Sequence, residues 1–147
     1  MFIDALTLVC DAQAFTAAAV SGSSYDCGAM TPQRAMGAGE PLGFGIFVDV
    51  AASSTTVKIE IIMATDAALT AGIIVLDEQT RLSADLFAGA SLYMGLPPQP
   101  PAAGYLRYLG LRVTPAGGAA TVTLTADLMP RDLFAAKAQY YARNYTV

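Results

Sequence analysis

Few side chains in this 147-residue chain could do chemistry, and histidine is missing altogether. Without imidazole there is no Ser/His/Asp or Cys/His relay, and no His-ligated zinc or iron. Cys10 and Cys27 form neither a CxxC pair nor a metal-type spacing. Cys27 precedes Gly28, yet no basic residue lies near it in sequence to lower its pKa toward a nucleophilic thiolate. Both cysteines sit in short apolar segments, which reads as two buried, reduced thiols. A bridge stays geometrically open if Leu6–Val9 and Ser24–Gly28 pair antiparallel. The carboxylates Asp77-Glu78 and Asp4 with Asp11 come without a DxDxDG calcium loop, and neighbours on a strand point to opposite faces. Solvated surface charge is their expected role. Gly37-x-Gly39 and Gly43-x-Gly45 neither precede a helix nor carry the Lys-Ser/Thr of a phosphate loop. There is no tryptophan to make a sugar platform. Phe47, Tyr93, Tyr105 and Tyr108 remain for one, an interface patch being the role expected of them. The residue types therefore predict a non-enzymatic protein with no metal and no cofactor.

Bulk composition narrows the class further. Hydrophobic residues make up 54% and charged ones 14%, too apolar for a disordered chain and unusually apolar for a small soluble monomer. A chain of this length fits one domain that buries roughly 70% of its unfolded surface. No apolar run reaches the ~18 residues of a membrane span, because Asp49, Asp66, Asp77 and Glu78 interrupt the greasiest stretches. The opening MFIDALTLVCDAQ lacks a basic n-region and carries Asp4 and Asp11, unlike a signal peptide. Folding in a reducing cytoplasm is the expectation. The apolar surplus points to a subunit interface, since obligate interfaces resemble a core cut in half. Net charge is −4 and the eight basic residues are scattered, so neither a nucleic-acid partner nor a membrane is expected.

The elements that must position these groups show period-two alternation almost throughout. Leu42, Phe44, Ile46, Val48 and Val50 alternate with Gly43, Gly45, Phe47 and Asp49; Val57, Ile59, Ile61 and Met63 alternate with Lys58, Glu60 and Ile62. Ala120, Val122, Leu124, Ala126 and Leu128 alternate with Thr121, Thr123, Thr125 and Asp127. Each pattern suits an antiparallel strand with one buried face. Leu6–Val9, Ser24–Gly28, Ile73–Leu82, Ala90–Leu96 and Tyr105–Thr114 complete a set of eight predicted strands. Turns fall at Ser21–Ser24, Gly37–Pro41, Ala71-Gly72 and Pro115–Gly118, the last closing a hairpin. The fold predicted is all-β: an antiparallel β-sandwich over residues 1–130, its eight strands being the jelly-roll number. A short tail of residues 131–147 follows.

Two segments stand outside the pattern. Leu96–Gly104 (LPPQPPAAG) holds four of the eight prolines and must be a stiff surface loop. The tail, PRDLFAAKAQYYARNYTV, holds three of the seven tyrosines and three of the eight basic residues. Leu133–Arg143 fits a short helix with Leu133, Phe134, Lys137, Tyr140 and Tyr141 along one side. So aromatic a tail either packs on its own sandwich or docks on a neighbour.

These stretches, taken in order, resemble a known family. FIDALTLVCDAQAFTAAAVSGSSYDCGA (Phe2–Ala29), GEPLGFGIFVDVAA (Gly39–Ala52) and LPP…YLRYLGLRVTPAGGAATVTLTADL (Leu96–Leu128) are similar to segments of the capsid cement, or decoration, proteins of the Bordetella tailed-phage type, as is the tyrosine-bearing tail. Two cysteines and a longer helical stretch before Tyr145 depart from that pattern. The resemblance implies a jelly roll on the outer surface of a virion shell, clamping neighbouring major capsid subunits and associating with itself as a dimer or trimer. The expected contact surface is Tyr140, Tyr141, Arg143 and Tyr145, with Pro97, Pro98, Phe2 and Ile3 as secondary positions. A receptor- or glycan-binding jelly roll of a tail fibre or baseplate is the alternative.

Overall fold

The structure, a computed structural model, describes residues 6–28, 41–98, 102, 104–118 and 120–145, with side chains through Gln139. Among the described residues nine strands and one helix follow in chain order: β1 (Leu8–Phe15), β2 (Ala19–Val20), β3 (Tyr25–Asp26), β4 (Leu42–Val50), β5 (Thr56–Ala64), β6 (Ile74–Leu82), β7 (Ser91–Gly95), β8 (Tyr108–Ala116), β9 (Val122–Pro130) and α1 (Arg131–Tyr145). A single 3-10 turn, Ser83–Asp85, links β6 to β7. Among the described residues no helix is long and apolar enough to cross a membrane.

Pairing is antiparallel throughout and nested: β1 with β9, β2 and β3 with β8, β4 with β7, β5 with β6. Such a chain is one long hairpin, bent at the β5–β6 turn and rolled until β4 also meets β9 and β5 also meets β8. The sheets run β1-β9-β4-β7 and β2-β8-β5-β6, with β3 beside β2 on β8. This is the strand order of a jelly roll. Nine strands fill its eight places because β2 and β3 share one, so Ala19–Val20 is a strand the alternation missed.

The first strand is also displaced from Leu6–Val9. It runs to Phe15 through two register shifts, with Ala12 at φ +43°. These bulges break the period-two signal that would have revealed its length.

Between the sheets lies one core. Phe44, Ile46, Val48, Leu124 and Ala126 of the first sheet face Val57, Ile59, Ile61, Leu109 and Leu111 of the second. The chain itself covers the outer face of the first sheet and one end of the outer face of the second. On the second sheet the β5–β6 loop drops Leu69 onto Ile62, Ala64 and Tyr108. Leu69 adopts a left-handed φ of +57° to do so, and a Cβ on Gly110 would lie 2.4 Å from its Cδ1. Asp66 ties this loop by accepting from the Thr70 and Ala71 amides and the Thr70 hydroxyl, which hold its carboxyl below the usual range.

On the first sheet the cover is α1. Alternation predicts an outward Phe47, but both faces of β4 are buried through Gly43–Val48, because the helix lies over the second face.

Candidate interface

Where β9 ends at Pro130 the chain enters α1 at once, so the helix must fold back over the outer face of the first sheet. Its seat is prepared by small residues. Gly43 lies under the Tyr93 ring, and Gly45 lies under Met129 and Phe134, so that any Cβ at these two positions would collide. Phe134 drops between Phe47 and Tyr93, with ring centroids 5.8 and 5.3 Å away. Three residues on, one helical turn later, Lys137 reaches the same face. Its ammonium lies 2.6 Å from the Asp127 carboxylate and 5.4 Å from the centre of the Phe47 ring. Both members of that ion pair are buried, and the Thr7 hydroxyl donates to the other Asp127 oxygen at 2.7 Å. The first half of the tail thus packs on its own sandwich.

The expected contact positions fall as follows. Tyr140, Tyr141, Arg143 and Tyr145 belong to α1 beyond the side chains described. Pro97 is half-buried, its carbonyl accepting from the Tyr105 hydroxyl at 3.4 Å, and Pro98 is exposed. Phe2 and Ile3, most of the Gly37–Pro41 turn, residues 99–101 and 103, and the last two residues lie outside the described residues.

Register places the described stretches that flank these segments at one end. Leu8 pairs with Asp127, Leu42 with Pro130, and Gly43 with Gly95. The entry to β1, the start of α1 and the proline loop after β7 therefore share one end of the sandwich. Leu6 and Leu133 are exposed there, at 78% and 56%. The opposite end carries a second apolar set that sequence reasoning missed: Val50, Leu82 and Phe87, each more than half exposed. Leu82 and Val50 close alternating strands, so the pattern assigned them a face without showing that neither end is capped.

The four aromatics expected to form a patch do not. Phe47 lies under α1, Tyr105 is in the core, Tyr93 leans on Phe134, and Tyr108 packs on the other sheet.

The cysteines are free, Cys10 on β1 of the first sheet and Cys27 just after β3 of the second. Burial pushes the Cys10 thiol up to about 12; burial and the Asp26 charge push Cys27 up to about 11. Neither is a thiolate at neutral pH.

A charged strip crosses the second sheet. Arg112 grips Glu60 through two bonds of 2.6 and 2.9 Å, and Lys58 bridges Glu60 to Glu78. At the β3–β8 end Arg107 holds Asp26 through two bonds of 2.8 Å, lowering that carboxyl to about 2.

Fold and surface define a jelly-roll sandwich that roofs one broad face and part of the other with its own chain and exposes apolar groups at its ends. The chain belongs to the Bbp16 family, whose model matches residues 9–128, from β1 through most of β9. Comparison with the curated proteins finds no match.

Proposed function

We propose that this is a non-enzymatic virion protein, a capsid cement or decoration protein on the outer surface of a tailed-phage shell. It clamps neighbouring major capsid subunits and associates with copies of itself, after synthesis in the host cytoplasm. Membership of the Bbp16 family supports a phage origin. The observation that carries the reading is that the start of the tail helix, the entry to the proline loop and the entry to β1 lie at one end of a rigid sandwich. Segments far apart in sequence form one contact zone there. Repeated at symmetric sites, modest contacts of this kind sum to tight attachment.

Co-sedimentation with empty expanded shells tests the reading. The full chain saturates the shells in many copies, and glycan arrays with the isolated protein stay blank. Glycan binding without shell binding would favour the tail-fibre alternative instead.

Two truncations locate the anchor. A chain ending at Asp132 loses Phe134 and Lys137, uncovers Phe47 and leaves Asp127 unpaired, so it unfolds at markedly lower denaturant. A chain ending at Gln139 keeps both clamps and folds, yet lacks Tyr140, Tyr141, Arg143 and Tyr145 and no longer decorates shells. Saturation by that second chain at unchanged affinity would place the anchor elsewhere.

A further inference from the structure

We propose that the free edge of β6 joins two copies of this chain, antiparallel, across a two-fold axis through Gln79. The proposal rests on the self-association part of the function above and gives it a surface and a register.

Among the described residues the two sheets have four edges, and three of them are short or bulged. β1 is bulged twice, β2 and β3 are two residues each, and β7 is five. β6 is nine residues long and among the described residues pairs with β5 alone; after a register shift that leaves out Leu76, it runs straight from Asp77 to Leu82. A long, regular edge presents a row of unpaired amides and carbonyls, a template for another strand, and charges along it restrict which strand can add.

Its side chains select what can add there. An edge strand turns the outward amides of alternate residues to the newcomer, so an antiparallel copy can only shift in steps that keep that parity. Centring on Gln79 sets Asp77 against the partner copy's Arg81, Arg81 against its Asp77, and Glu78 against its Thr80. The neighbouring registers do worse. Centring on Asp77, Glu78 or Arg81 sets like charges on the axis, and centring on Thr80 sets Glu78 against Leu82. One register alone pairs opposite charges, and it pairs them twice. Directly opposed charges of opposite sign stabilise an antiparallel pair, and like charges destabilise it.

The groups concerned are available. Asp77 has no hydrogen-bond or ion-pair partner among the described residues, and the Arg81 guanidinium bonds only Gln79, at 2.7 Å. Arg81 and Leu82 are exposed. A two-fold perpendicular to the sheet continues it into the second copy with the same face inward, as an isologous dimer requires.

Sedimentation equilibrium of the full chain tests this without shells. The wild type dimerises in the micromolar range. Asp77→Arg and Arg81→Asp each turn two attractive pairs repulsive and weaken the dimer roughly tenfold or more. The double reversal D77R/R81D restores the pairing and the wild-type affinity. Melting curves of each variant separate loss of dimer from loss of fold, and the rescue cannot arise from a merely structural role. A dimer or trimer indifferent to all three variants would overturn the β6 edge and leave self-association standing. A wild-type monomer throughout would overturn both, while shell binding is read separately by co-sedimentation.

Discussion

Glu60 shows how much a single buried charge depends on its neighbours. It is 3% exposed on the outer face of β5 and would be costly there alone. The Arg112 hydrogen bonds, with Lys58 behind them, outweigh burial and bring its carboxyl from 4.5 down to about 2. The folded state therefore keeps the charge while the unfolded chain takes up a proton. This contribution is full above about pH 4.5 and is lost as pH falls toward 2. Glu60→Gln should cost about 2 kcal/mol at neutral pH, and the deficit should shrink as the acid limb is descended. Urea midpoints at neutral pH and near pH 3 check both statements.

Lys137 poses the complementary case. Removing it in Lys137→Met leaves Asp127 buried with the Thr7 hydroxyl as its remaining partner, at an expected cost of about 3 kcal/mol. The double change D127L/K137M should recover part of that loss, because a buried charge is then no longer stranded. Of these groups the sequence showed only identities: an Asp on a threonine face, and a Lys on a helix of aromatics. Their meeting depends on the helix folding back, which no spacing within ten residues encodes.

Among the elements, β9 was legible in full, whereas β4 was legible as a strand but not in what covers it. In Val122–Pro130 the apolar positions Val122, Leu124, Ala126 and Leu128 enter the core as alternation predicts. In Leu42–Val50 the same alternation holds, but its second face is a helix seat rather than a wet surface. Gly43 and Gly45 record that seat, and they can be tested separately. A Cβ at Gly43 would stand 2.3 Å from the Met94 carbonyl oxygen, part of a paired backbone that cannot retreat. At Gly45 it would meet the Met129 sulfur and the Phe134 ring at 2.8 and 2.9 Å, and those side chains can turn. Gly43→Ala should therefore cost about 3 kcal/mol and Gly45→Ala about 1, read from denaturation midpoints. The tail helix was legible as a helix from its composition. Its docking was left between two surfaces, because an amphipathic stretch states that it needs a partner without saying which.

For the molecule as a whole, the rolled hairpin explains why the contact zone is assembled from distant pieces. Pairing the first strand with the last and β4 with both β7 and β9 delivers the entry to β1, the entry to the proline loop and the start of α1 to one end. The proposed shell attachment by that end and the proposed pairing along β6 use separate surfaces, so a copy bound through one would keep the other open.

All-β character, the one-sided patterns of the principal strands and the absence of imidazole chemistry were all legible in the chain. Side-chain type and period are local properties, and both survive any arrangement of the strands. Which faces are covered, which edge is left open and which charges find each other are not local. They follow from where the roll sets β6 at a sheet margin and from where α1 lands. Only there do Asp127 and Lys137, ten residues apart in sequence, close into one buried pair.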